Sequence, residues 1–379
     1  MHVALVIAGP YPAFRGSQVL VSQLASGLRA RGHQVRLVTY GPHRGHRPGP
    51  RLGRLTLDAL LVTRLWRVVR RDRIEVLHAH NYEAGIASLL VGRLTGRPVV
   101  FHGHSALVEE LPLYASSLAG RRWMRRLGRV LDAQVPRRAD GCIAVSDDLR
   151  EHLRRAGVAE QALACIEPAV APAELDDASD GPGADGVVCY AGNLDGYQNL
   201  AFLLRTFARV RAAEPGARLV LLSHPDARGR ARRLASGGLG PGVEIVLAES
   251  YADVRRRLRD AAVAVCPRTE RSGFPMKLLN YLAMGRAVVA CAGSAKGLVD
   301  GTNARVVPDD DVAAFAGAVL SLLRDSATRV RLGRAGRRAI ESGEAWERVL
   351  ERTESMYRQV LAVGAGGRPA RAVPVAVTE

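Results

Sequence analysis

The sequence predicts an α/β protein made of two doubly wound parallel-sheet domains that face each other across a cleft. Three observations carry this. Short apolar runs bounded by turn residues alternate with helix-period segments through most of the 379 residues, the pattern of repeated strand–helix units. The alternation comes in two series, parted by DDASDGPGADG at 176–186, a polar stretch rich in Gly and Asp and composed like a linker. The chain is also long enough for two ordinary domains, with 47% hydrophobic and 24% charged residues.

The first domain, residues 1–175, opens with HVALVIA (2–8), a buried parallel strand. From Ser17 the segment SQVLVSQLASGLRARG has helical period and stops at Gly32, as a glycine-capped helix does. QVRLVT (34–39), IEVLHA (74–79), PVVFH (98–102) and GCIAV (141–145) are the strands that follow. The second domain, 187–344, begins with VVCYAG (187–192). It continues through ARLVLLS (217–223), VEIVLA (243–248), AAVAVCP (261–267), RAVVACA (286–292) and ARVVP (304–308). Residues 345–363 form one amphipathic helix that can pack back on the first domain, and 364–379 are expected to be a disordered tail.

Several function classes fall away. Neither domain carries GxGxxG after its first strand, and no GxxxxGK[ST] is present, which weighs against a dehydrogenase or an ATPase. Five scattered cysteines without a CxxC pair argue against a disulfide framework or a zinc site. The N-terminus reads as a strand rather than a signal peptide, and no apolar run reaches the length of a membrane span. A cytoplasmic protein is expected, with peripheral attachment to the inner face of the cell membrane as a further option. The net charge of +17 is concentrated up to residue 170, where 25 Lys and Arg face 13 Asp and Glu. That favours anionic partners. With 5% aromatic residues and no nucleic-acid module, nucleic acid is not among those expected.

Candidate site residues gather where strands end, because doubly wound sheets bind ligands there. Gly16 and Ser17 open the first helix, where free N–H groups and the helix dipole suit a phosphate; an ordinary N-cap is the plainer alternative. In RTERSGFPMKLLNYLAMGRAVVA (268–290), Gly273 allows close backbone approach and Phe274 and Pro275 fix the entry to a helix. Met276 and Lys277 begin that helix, and Lys277 is one of only two lysines in the chain. The dipole disfavours a cation there unless an anion binds nearby; the alternative is a solvated surface lysine. His78 and His80, then His102 and His104, form two H-x-H pairs near strand ends. Alternation puts each pair on one face, but no Cys, Asp or Glu completes a ligand set, so no metal is expected. Asn81, Tyr82, Glu109 and Glu110 follow the same strand ends and are candidate acceptor contacts. In 118–138, seven arginines stand against one aspartate. Its amphipathic pattern with Trp123 fits either an anionic membrane surface or an arginine-covered helix packed on its own domain.

From residue 1 to about 360 the chain resembles a retaining glycosyltransferase of the GT-B fold, in the large family four group. The segments LASGLRARGHQVRLVTY, AGNLDGYQNLAFLLRTFARVR and SGFPMKLLNYLAMGRAVVACAGSAKGLVDGTNARVVPDDD carry the resemblance. It implies two Rossmann-like domains, a nucleotide-sugar donor on the second and a hydroxyl acceptor, lipid-linked in some cases, on the first. It also makes His104 the active-site histidine beside the donor sugar. Four positions depart from the family pattern. Its arginine and lysine after the first donor-domain strand are Asn193 and Gln198 here, and its two glutamates are Ser272 and Asn280. All four replacements form hydrogen bonds. Two cations and two carboxylates lost together leave the local charge nearly unchanged, as in a rebalanced donor site, with Lys277 supplying the leaving-group cation. Glu270, two positions earlier, can reach in from the loop. The expected reaction is glycosyl transfer in glycan, glycolipid or glycosylated-metabolite synthesis, with no cofactor or metal. The alternative is a catalytically silent binding or scaffold protein with the same fold.

Overall fold

The computed structural model describes residues 1–11, 16–41, 54–172, 175, 181–341 and 344–365. Most of the expected tail and residues 176–180 of the expected linker lie outside the described residues.

The first sheet holds β1 (His2–Ile7), β2 (Gln34–Val38), β3 (Val76–His80), β4 (Val99–Gly103), β5 (Gly141–Ala144) and β6 (Leu163–Cys165) in the order β2-β1-β3-β4-β5-β6. The second holds β7 (Ala184–Ala191), β8 (Arg218–Ser223), β9 (Val243–Leu247), β10 (Ala261–Cys266), β11 (Ala287–Cys291) and β12 (Arg305–Val307) in the order β12-β11-β10-β7-β8-β9. Neighbouring strands pair in parallel throughout, as in β1 with β3 and β7 with β10. Helices cover both faces, which is why these strands are near-continuous apolar runs. The fold is the two-sheet GT-B architecture. Strand order reverses between β1 and β3 and between β7 and β10, and such switch points are where doubly wound sheets bind ligands. Strand β6 has no counterpart in the sequence reading, because three residues are too short for a periodic signal. Strand β7 starts at Ala184, inside the stretch read as linker.

The helix Glu344–Ala365 leaves the second domain and completes the core of the first. Trp346, Val349, Leu350, Met356, Tyr357 and Val360 pack with Val3, Leu5, Leu24 and Leu28 on one face of the first sheet. A Cβ on Gly27 would lie 2.9 Å from the Trp346 ring, so a glycine there lets the two helices close up. Polar contacts fix the register: Arg31 Nε and His33 Nε2 meet Glu354 Oε1 at 2.8 and 2.9 Å. The domains are therefore joined twice, by the linker and by this helix.

Trp346 is 5% exposed, and truncating a large aromatic in a core costs about 3–5 kcal/mol. Trp346→Ala should lower the unfolding free energy by that amount in a denaturant titration. A loss near zero would mean that the helix is not seated in the core.

Candidate active site between the two domains

A cavity of about 340 Å³ opens between the domains at both switch points. The first domain lines it with Gly16, Ser17, Asn81, His104, Glu109 and Glu110. The second contributes Asn193, Gln198, Ser272, Phe274, Pro275, Met276, Lys277 and Asn280. The domains nearly touch here: a Cβ on Gly16 would lie 3.1 Å from Met276 Cγ.

Lys277 is the most constrained of these. It sits in the first turn of the helix Met276–Ala283 and is 9% exposed. Its Nζ donates to Gln198 Oε1 at 2.5 Å and lies 4.0 Å from the centre of the Tyr190 ring. Gly192 leaves it room, since a Cβ there would come within 2.9 Å of Nζ. Burial, reinforced by nearby Arg268, pulls its pKa down from 10.5 to about 7. Among the described residues no carboxylate contacts it, so an incoming anion would meet a poorly solvated cation.

The four departures from the family pattern are all engaged. Asn193 Nδ2 donates to Tyr197 Oη at 2.6 Å, and Asn280 Oδ1 accepts from Tyr251 Oη at 2.7 Å. Ser272 Oγ donates to Glu109 Oε2 at 2.6 Å and accepts from the Ala106 N–H at 3.0 Å. Across the same seam, Ser146 Oγ donates to the Ser272 carbonyl at 2.8 Å. A carboxylate thus does stand beside position 272, but the first domain supplies it. Glu110 accepts from Ser105 Oγ at 2.8 Å and Tyr114 Oη at 3.1 Å.

Asp132 holds the short helix that carries both glutamates. It is 1% exposed and accepts from the N–H groups of Leu107 and Val108 at 2.9 and 3.1 Å and from Tyr82 Oη at 2.5 Å. This corrects the assignment of Tyr82 as an acceptor contact. The helix after β3 begins at once, with Asn81 at φ +68°. That turn leaves Asn81 on the cavity and swings Tyr82 into the core, 3% exposed.

The histidines form a ladder beneath His104. His78 stacks on His80 with ring centres 4.5 Å apart and on His102 at 5.2 Å. His78 Nδ1 is 2.6 Å from Tyr357 Oη, and its Nε2 is 3.0 Å from His102 Nδ1. His80 Nδ1 is 3.0 Å from His104 Nε2. Burial lowers the pKa of all four, His78 to about 3 and His104 to about 4, so they are neutral near pH 7. His78, His80 and His102 each place one nitrogen within 4.8 Å of the others. His78 spends both of its nitrogens on hydrogen bonds, whereas among the described residues His80 Nε2 and His102 Nε2 are buried without a partner. The arrangement orients His104 through His80.

Sequence reasoning missed Arg268, Tyr197 and Tyr251, which all line the cavity. Arg268 lies two residues past the end of β10, and that position was the available signal.

The Glycosyltransferase Family 4 model matches residues 14–174, and the model for Glycosyl transferases group 1 matches residues 185–325. The chain is a GT-B glycosyltransferase. It is 26% identical over 387 residues to a phosphatidyl-myo-inositol mannosyltransferase of Mycobacterium leprae, covering 96% of this chain and 98% of that one. In fold it resembles a sucrose-phosphate synthase from Thermosynechococcus elongatus (TM-score 0.77, 19% identity, 96% of this chain and 99% of that one). It also resembles Anabaena Alr3699/HepE in complex with UDP-glucose (TM-score 0.70, 15% identity, 94% of this chain and 100% of that one). The scaffold alternative gives way to an enzyme.

The depressed pKa of Lys277 sets a pH dependence for this glycosyltransferase. Between about pH 7 and 10.5 the unfolded chain holds a proton on this lysine that the folded chain has released. Stability therefore gains from this residue as pH rises through that window. Denaturant melts at several pH values should show a steeper rise for wild type than for Lys277→Met; parallel curves would place the lysine in solvent.

Proposed function

We propose that the protein transfers a glycosyl group, with retention, from a nucleoside-diphosphate sugar to a hydroxyl acceptor in glycan, glycolipid or glycosylated-metabolite synthesis. The observation that carries this reading is Lys277, a buried lysine at a helix start, lining the cavity and, among the described residues, without a carboxylate partner. A diphosphate supplies the charge this lysine lacks, and the N–H groups of the helices at Gly16 and Met276 add to the field. Neutralisation by side chains and helix ends requires no metal. His104, oriented by His80, would touch the donor sugar. The departing phosphate would take the acceptor proton, since Glu109 and Glu270 on the cavity are engaged by Ser272 and Arg268 and Glu110 by Ser105 and Tyr114. Asn280 and Tyr251, which line the cavity, would bind the nucleoside half, and Asn81 and Glu110 the acceptor. The UDP-glucose bound by the Anabaena neighbour supports the donor class.

The acceptor is proposed to be lipid-linked, at an anionic membrane surface on the cytoplasmic side. The name of the mycobacterial relative points to such an acceptor. The helix Leu118–Gln134 buries only Gly128 and Asp132. Leu118, Trp123 and Val130 are 75, 60 and 56% exposed, among exposed arginines at 121, 122, 125, 126 and 129. The helix Asn81–Thr95 packs on the same sheet face and exposes Ile86, Leu90 and Leu94 at helical spacing. Apolar residues ringed by arginines suit a headgroup layer. Among the described residues no helix is long and apolar enough to cross a membrane.

Hydrolysis and transfer across a panel of nucleotide sugars should reveal one preferred donor, and no turnover with any of them would refute the donor class. His104→Ala should cut turnover. It should also cost about 1–3 kcal/mol of stability by stranding buried His80; unchanged turnover would remove His104 from the chemistry. Sedimentation with phosphatidylglycerol vesicles should carry the protein down, and less of a Trp123→Ser, Arg122→Glu, Arg126→Glu variant. Equal partitioning with neutral vesicles would exclude the charge-driven docking.

A further inference from the structure

The donor reading leaves two arginines on the cavity without a role, Arg255, which lies over the Tyr251 ring, and Arg268. Arg268 follows β10 at the second switch point and is 9% exposed. Its guanidinium carbon lies 5.4 Å from the centre of the Tyr197 ring, and its Nε donates to Glu270 Oε2 at 3.2 Å. Nη2 reaches the loop before the helix Met276–Ala283, where a Cβ on Gly273 would come within 2.6 Å of it and 3.0 Å of the His104 carbonyl. Glycine at 273 is what admits the guanidinium, since a side chain there would meet both it and the His104 carbonyl. Among the described residues no acceptor sits on either Nη.

We propose that Arg268 is the second diphosphate-binding residue of the donor site, held by Glu270 in the free protein and engaging the diphosphate oxygens through its Nη fork. The inference rests on the nucleoside-diphosphate reading and deepens it. Planar guanidinium matches two phosphate oxygens at once, whereas Lys277 acts as a point charge. The two cations approach the cavity from different sides of the helix start, one from β10 and one from the helix. A diphosphate, with its spread charge, fits such a pair better than a monophosphate or a carboxylate. Glu270 is a partner that can let go: burial raises its carboxyl pKa, so its anionic form is already disfavoured. Tyr197, tied to Asn193, supports the guanidinium on the other face. The cations absent from 193 and 198 have thus been replaced from β10 and the following helix.

Calorimetry with UDP, GDP and ADP, and with uridine, guanosine and adenosine, separates the parts. Wild type should bind one diphosphate clearly better than its nucleoside. Arg268→Gln should weaken that diphosphate by roughly ten- to a hundredfold, as loss of a charge-assisted contact does, and leave the nucleoside unchanged. Glu270→Gln should act oppositely and tighten the diphosphate several-fold, because the guanidinium is freed. A folded Arg268→Gln with wild-type diphosphate affinity overturns the proposal and leaves the donor reading standing. If wild type binds none of the three diphosphates, both fall. Should Arg268→Gln fail to fold, Glu270→Gln decides: tighter binding supports the role, and unchanged or weaker binding refutes it.

Discussion

The site depends on keeping one ammonium group out of water without an anion beside it. Lys277 is accommodated by one continuous stretch, in which β7 contributes Tyr190, the residue just after it Gly192, and the turn that follows Gln198. The amide oxygen and the ring face satisfy a cation only in part, so the group stays poised close to neutrality. A carboxylate in place of Gln198 would hold the proton firmly and compete with any anionic ligand. The departure at 198 therefore belongs with the lysine at 277 as one solution to the same electrostatic problem.

The seam between the domains is the second constraint. Ser272 cannot supply a carboxylate, yet Glu109 places one against it from the opposite domain. Asp132 anchors the short helix bearing Glu109, and it belongs to the arginine-rich helix Leu118–Gln134 on the outside of the same domain. Outer helix, short helix and cleft loop are thus linked by direct hydrogen bonds. The helix Glu344–Ala365 acts on the far side, where Tyr357 meets His78 at the foot of the histidine ladder. A covalent return of the chain to the first domain holds the relation of the two halves that this seam requires.

The fold was legible in the sequence because buried parallel strands are written as apolar runs, and eleven such runs coincide with strands. Where strand ends define the cavity, the residues after them were legible too: Gly16, Asn81, His104 and Lys277 all line it. What failed needed knowledge of direction. Asn81 and Tyr82 are adjacent, but a single left-handed residue sends one to the cavity and the other to the core. Arg268 went unread because arginine is abundant in this chain, with 54 Lys and Arg in all. Nothing local separates a buried guanidinium from a solvated one. Pairings across domains, such as Glu109 with Ser272, are 163 residues apart and leave no periodic trace.

The histidine ladder shows how far burial can substitute for charge. Four neighbouring imidazoles would repel if protonated, and burial drives them all to the neutral form. A neutral ring has one donor and one acceptor. If Tyr357 donates to His78 Nδ1, then His78 Nε2–H donates to His102, and one choice propagates to the next ring. His80 and His104 form the second such pair, so the nitrogen that His104 turns to its partner fixes which one is left for the cavity. Substituting His80 by a residue that only accepts would place the proton of His104 on Nε2 without touching the cavity wall. The deep histidines therefore act on the cavity indirectly, through the tautomer of His104, the one histidine of the four that lines it.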